Sequence, residues 1–192
     1  ANSDRKQKNE EFAKKAIQYF ELSYKAFERV GQIRGMGYEL IHLAMRKANL
    51  GNVAAAKKHF SQAEQLFLQL HRPQSMAAFY LSYGDFLFSY DIDKQSGMNY
   101  IHKAADIWKE NDRKTNLAVA YEALSIGYEL LGDYKQSLKY VREYYQLNET
   151  IVDEKTQKQL QELNVKYETE KKDTQLALQK VELLKKVGRA HV

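Results

Sequence analysis

Between residues 118 and 147 the apolar and small residues fall at helical steps in two blocks, separated by Leu131-Gly132-Asp133. Tyr121, Leu124, Ser125 and Tyr128 form one block, and Ser137, Leu138, Val141 and Tyr144 form the other. Steps of three and four place each set on one helix face. The predicted element is therefore an antiparallel helix hairpin. Small residues stand where two backbones must come close, and aromatic rings fill the space beside them. Gly132 supplies the freedom that the turn requires. One such hairpin cannot bury its own apolar face, so the pattern requires neighbours.

The neighbours are visible as a period of about 40 residues. Leu50-Gly51-Asn52 matches Leu131-Gly132-Asp133, and Tyr90-Asp91-Ile92-Asp93 occupies the intervening turn with one extra residue and no glycine. The small residue of each second helix recurs as Ala16, Ala56, Gly97 and Ser137. The predicted helices are 10–29, 35–49, 54–70, 74–89, 94–110, 114–130 and 134–148, then one long polar helix over 151–187. The fold class is all-α: an array of antiparallel hairpins over 10–150, made of one lone helix and three whole hairpins, followed by a long C-terminal helix. Residues 1–9 are polar and expected to fray, or to be tag-like. Gly188 is expected to end the last helix, leaving 188–192 as a frayed end. The lone first helix lacks a partner, which implies a piece cut inside a longer array.

Composition changes this picture little. One proline and nine glycines in 192 residues leave helices uninterrupted, and Tyr outnumbers Phe, 14 to 8. That ratio suits shallow cores, where a ring is buried and its hydroxyl stays wet. The absence of cysteine excludes disulfides and thiolate metal sites. No apolar run reaches the roughly 18 residues of a membrane span, and no signal peptide is visible. Residues 155–192 hold nine Lys/Arg against five Asp/Glu, so the tail carries +4 of the net +5.

Catalytic chemistry has no foothold. The five histidines, His42, His59, His71, His102 and His191, show no metal-ligand spacing on one helix. His59 and His102 occupy nearly equivalent repeat positions and read as structural. There is no phosphate-binding glycine loop and no nucleophile elbow. The expectation is a non-enzyme with no metal, no cofactor and no nucleic-acid partner.

The period and its small-residue positions resemble the tetratricopeptide repeat, in a long-helix variety. The family's first-helix positions fall on Leu40, Leu43, Ala44 and Lys47; on Tyr80, Tyr83, Gly84 and Leu87; and on Tyr121, Leu124, Ser125 and Tyr128. The second-helix positions fall on Ala56, Phe60 and Ala63; on Gly97, Ile101 and Ala104; and on Ser137, Val141 and Tyr144. Lys47 departs from the family's aromatic. The resemblance implies a superhelix whose first helices line a concave peptide-binding groove. Its candidate residues are Tyr38, Ile41, Met45 and Asn49; Ala78, Leu81, Asp85 and Phe88; and Val119, Glu122, Ile126 and Glu129. Some relatives hold a peptide's C-terminal carboxylate with Lys and Asn in this groove. Here those positions are apolar or acidic, so the expected partner is an extended or helical segment with basic residues.

The tail, from Tyr145 through Leu160-Gln-Glu-Leu and Tyr167-Glu-Thr-Glu-Lys-Lys172, resembles the segment closing the repeat sensor region of Bacteroidetes-type signalling proteins. In that family a transmembrane helix follows, then a histidine kinase or helix-turn-helix output domain. The resemblance implies a sensor of a membrane-bound bacterial signal-transduction protein, with its repeat body outside the cytoplasmic membrane and its membrane contact in a segment absent from this sequence. Leu160, Leu163, Tyr167, Glu170, Thr174, Ala177, Val181 and Leu184 follow heptad steps. They predict a homodimer seam beyond a stretch, 151–163, that caps the last hairpin. The alternatives are a cytoplasmic repeat regulator that binds a signalling peptide, and a structural scaffold.

Overall fold

The computed structural model describes the backbone of residues 2–189 and the side chains of residues 10–177, 179 and 180. Among the described residues there are seven helices and no strand: α1 (Asn2–Arg29), α2 (Ile33–Asn49), α3 (Val53–Gln69), α4 (Pro73–Ser89), α5 (Lys94–Glu110), α6 (Lys114–Leu130) and α7 (Tyr134–Arg189). The chain divides into two compact units, Ala1–Leu147 and Asn148–Val192.

The first unit is a helical repeat in which α2 to α6 are each 17 residues long. Every turn contains one residue with left-handed backbone. Gly31, Gly51 and Gly132 have φ of 65°, 79° and 80°, whereas His71, Asp91 and Asp112 have φ of 48°, 52° and 50°. Five turns add a closing bond from the following amide to the carbonyl five residues back, as from Asn52 to Lys47 at 2.9 Å and from Asp133 to Tyr128 at 2.9 Å. These bonds satisfy carbonyls that a helix end otherwise orphans. Asn52, Asp93 and Asp133 then cap the next helix, each accepting from the amide three residues on, at 3.0, 2.9 and 3.1 Å. The α4–α5 turn is one residue longer than the others, as the extra residue in the sequence foretold.

Left-handed backbone costs an ordinary side chain about 1–2 kcal/mol, and histidine has no short polar group to offset it. Replacing His71 by glycine relieves that strain but adds freedom to the unfolded chain. The expected net gain is about 0.5–1 kcal/mol, or a melting temperature roughly 2 °C higher. A thermal melt with no gain would mean that the His71 side chain holds the turn.

Two apolar cores fill this unit. One gathers α1 to α4 around Phe60, Phe67, Phe79 and Phe86, all at 1% exposure or less. The other gathers α4 to α7 around Met98, Ile101, Trp108, Leu117, Tyr121 and Leu124. Helix α4 serves both, giving Phe79, Phe86 and Leu87 to the first and Ala77 and Phe88 to the second. Each hairpin carries a matched pair of buried small residues: Ala44 with Ala56, Gly84 with Gly97, and Ser125 with Ser137. At the glycine pair the two backbones nearly touch. A Cβ built on Gly97 meets the Gly84 carbonyl oxygen at 2.7 Å, and one built on Gly84 meets the Gly97 oxygen at 2.7 Å.

The structure corrects four expectations. Helix α1 starts at Asn2 rather than at residue 10, since Arg5, Lys6, Gln7 and Lys8 are good helix formers with no breaker among them. Leu138, placed in the hairpin seam, is 51% exposed; the seam of α7 is held instead by Ser137, Tyr140, Val141 and Tyr144. Residues 149–150 do not separate two helices, because Glu149-Thr150 carries no helix stop, and α7 is continuous through them. Gly188 does not end the helix, which runs to Arg189, because no proline or turn residue accompanies it. Residues 190–192 lie outside the described residues.

In the second unit every described side chain from Val152 to Ala177 is exposed. This includes the heptad residues Leu160, Leu163 and Tyr167, at about 60% each. Val181 and Leu184 lie outside the described side chains. Among the described residues no helix is long and apolar enough to cross a membrane.

Candidate functional site

The groove residues lie on α2, α4 and α6, and α4 touches both of the other two. The repeat thus brings the three first helices side by side. On α2, Tyr38 is half-buried with its ring edge toward Phe67, the centroids 5.3 Å apart. Met45 is half-buried and Asn49 exposed, and the Tyr90 hydroxyl donates to Asn49 Oδ1, tying the end of α2 to the end of α4. On α4, Ala78 and Leu81 are half-buried, and Asp85 is exposed, accepting from the Ser89 hydroxyl at 3.0 Å. On α6, Val119 and Ile126 are 47% and 50% exposed, and Glu122 and Glu129 stand open beside them.

Two candidates leave the groove. Ile41 is 5% exposed in the first core and Phe88 is 8% exposed in the second. Both sit at the boundary between groove face and helix contact, and packing takes them inward. Phe88 is held there by the close approach of Gly97, whose added Cβ would lie 3.0 Å from the Phe88 amide nitrogen.

The three groove carboxylates need no buried partner, because they face solvent. Their charge, together with the open apolar surface of α6, defines the chemistry: an acidic, partly apolar strip that can cover an apolar residue and pair a Lys or Arg.

A second polar cluster, missed in the sequence, lies in a hollow of about 210 Å³ lined by α5, α6 and α7. His102 Nε2 is 2.8 Å from the Tyr128 hydroxyl, and the Tyr128 and Tyr140 rings stack in parallel with centroids 5.7 Å apart. Lys139 Nζ lies 5.0 Å from the centre of the Tyr140 ring. Asp106, Tyr121 and Glu143 complete the wall. Burial, with Tyr128, Tyr121 and the nearby carboxylates, pushes the Tyr140 phenol up to about 12. The helix starts also separate the two histidines: His59 is the seventh residue of α3 and His102 the ninth of α5, so His59 corresponds to Tyr100. The signal in the sequence was the tyrosine pair flanking the Gly132 turn, Tyr128 before it and Tyr140 after it.

Burial holds His102 below the ordinary imidazole value of 6.5, with Lys139 adding to the effect and Asp106 opposing it. His59 is lowered for the same first reason. The unfolded chain therefore binds protons more readily than the folded one. The stability from both groups is complete above pH 6.5 and is lost as pH falls below it. The melting temperature is expected to drop between pH 7.5 and pH 5, and His102→Gln is expected to remove part of that drop. An identical pH dependence in the variant would place the loss elsewhere.

No family model matches this chain, and no curated protein matches it. Among solved structures the chain is similar to the crystal structure of BtubC (BKLC) from P. vanneervenii, with a TM-score of 0.61 at 19% identity. The match covers 72% of this chain and 57% of that one, so the chain spans little more than half of that protein's length. The likeness is one of fold: an all-helical repeat.

Proposed function

We propose that this chain is a non-catalytic binding module of the tetratricopeptide-repeat class, and that the groove face of α2, α4 and α6 takes a peptide segment carrying basic residues. The observation that carries the reading is the face of α6. Val119 and Ile126 remain about half exposed beside Glu122 and Glu129, on a helix whose opposite face is fully packed. Covering such apolar surface is favourable by about 25 cal/mol per Å², and the flanking carboxylates select a cationic partner. The resemblance of the tail supports a place in a bacterial signal-transduction protein, as its sensor or interaction region. In that setting the exposed heptad positions of α7 serve as a homodimer seam that relays binding.

The test uses fluorescently labelled amphipathic peptides with two to four Lys or Arg residues. Asp85→Lys combined with Glu122→Lys is expected to weaken binding by about tenfold or more. The melting temperature should stay within about 1 °C, because both side chains are exposed and outside any core. An equal loss of stability would make these carboxylates structural. No binding by any such peptide at high micromolar concentration would remove the reading.

A further inference from the structure

We propose that the open flank of the α6–α7 hairpin is a docking face for a second copy of this chain, and that the two copies meet with α6 of one over α7 of the other.

Within the first unit each earlier second helix is covered by the helix that follows. On α5, Met98 and Ala105 are buried, at 2% and 5% exposure, and the Met98 sulfur lies where a Cβ on Gly127 of α6 would stand. Counted from the helix starts, the same positions on α7 are Leu138 and Tyr145, which are 51% and 67% exposed. Tyr134 adds a third open apolar residue on that side, at 70%. At helical spacing Tyr134, Leu138 and Tyr145 form one stripe, with Lys135 and Arg142 along its margin. The opposite side of α7 is occupied, since Tyr140 and Glu143 meet α5.

Helix α6 presents the complement. Its packed side holds Leu117, Tyr121, Leu124 and Ser125, and its open side holds Val119 and Ile126 with Glu122 and Glu129 along the margin. Among the described residues none of Glu122, Glu129, Lys135 and Arg142 joins an ion pair within the chain. One hairpin therefore exposes an acidic apolar face and a basic apolar face, each with its charges unspent. Two copies related by a twofold axis along the hairpin place acid on base twice over and bury both apolar stripes. This self-complementarity is what names the occupant: a foreign partner would need to match only one sign. The face is distinct from the heptad seam of 160–177. Its α6 half is the face that the peptide reading also uses, so a second copy and a peptide exclude each other there.

The test is sedimentation of the whole chain from 1 to 200 μM. Wild type is expected to dimerise in that range. Glu122→Lys with Glu129→Lys should raise the dissociation constant at least tenfold, and Lys135→Glu with Arg142→Glu should do the same. The chain carrying all four substitutions should return to within about threefold of wild type, which no folding defect can mimic. A monomeric wild type overturns the proposal. So does a dimer that ignores both charge pairs and is lost instead on Leu160→Lys with Leu163→Lys, which would put the contact in the heptad seam. A fourfold variant no better than either double variant would also overturn it. Asp85→Lys alone should weaken peptide binding and leave the dimer intact, so failure of one reading is separable from failure of the other.

Discussion

Phe67→Ala is expected to lower the stability of the chain by about 3–5 kcal/mol. Phe67 is completely buried on α3, where it touches Tyr38 on α2 and Phe79 on α4, with ring centroids 5.3 and 6.3 Å away. Removing the ring leaves a hole bounded by three helices, none of which can close it without leaving its other contacts. Gly37 sharpens the case. A Cβ there would stand 2.7 Å from the tip of the Phe67 ring, so α2 has given up a side chain to admit it. Gly37→Ala should be destabilising in the wild-type chain and nearly harmless, or favourable, in the Phe67→Ala chain. Guanidinium melts of the four members of this cycle measure the coupling. Additive costs would mean that the ring and the glycine do not meet.

Gly97→Ala is expected to cost about 2 kcal/mol net. Two effects oppose each other. Alanine favours the helix by about 1 kcal/mol over glycine. Its methyl group, however, meets backbone on α4: the Gly84 oxygen at 2.7 Å and the Phe88 amide nitrogen at 3.0 Å. Backbone atoms cannot swing aside as a flexible side chain can, so the two helices must separate, and overpacking against backbone costs about 3 kcal/mol, the upper end of the usual range. The melting temperature should fall by about 4–8 °C. A rise would show that helix propensity wins and that α4 and α5 have room to part.

These positions also show what the sequence makes legible. The 40-residue period located every hairpin, and α5 and α6 have the same limits in sequence and structure. The recurring small residues were readable because a helix crossing leaves no choice: Ala56, Gly97 and Ser137 are all buried. Backbone conformation was less legible. Three turns carry a glycine that advertises left-handed backbone, and Asp91 and Asp112 give a weaker signal through their short polar side chains, whereas His71 gives none. The exposure of the candidate groove residues was legible only in part. Asp85, Glu122, Ile126 and Glu129 are open, whereas Ile41 and Phe88 turn into the cores. A residue at the margin of a helix face is assigned by the size and distance of the neighbouring helix, which the period does not encode. Of the His102–Tyr128–Tyr140 cluster the sequence showed only the tyrosine pair around Gly132, because the cluster joins residues from three helices whose lateral order follows from packing.

Helix α4 is a member of both cores, with Tyr80 packed against each. A repeat array with separate cores can melt in pieces, each half keeping its own order. Here neither half keeps its order once α4 leaves, because the helix carries Phe79 and Phe86 away from one side and Ala77 and Phe88 from the other. The first unit therefore loses its structure as one cooperative body, and the chain cannot be shortened to either half without exposing the other's aromatic interior to water.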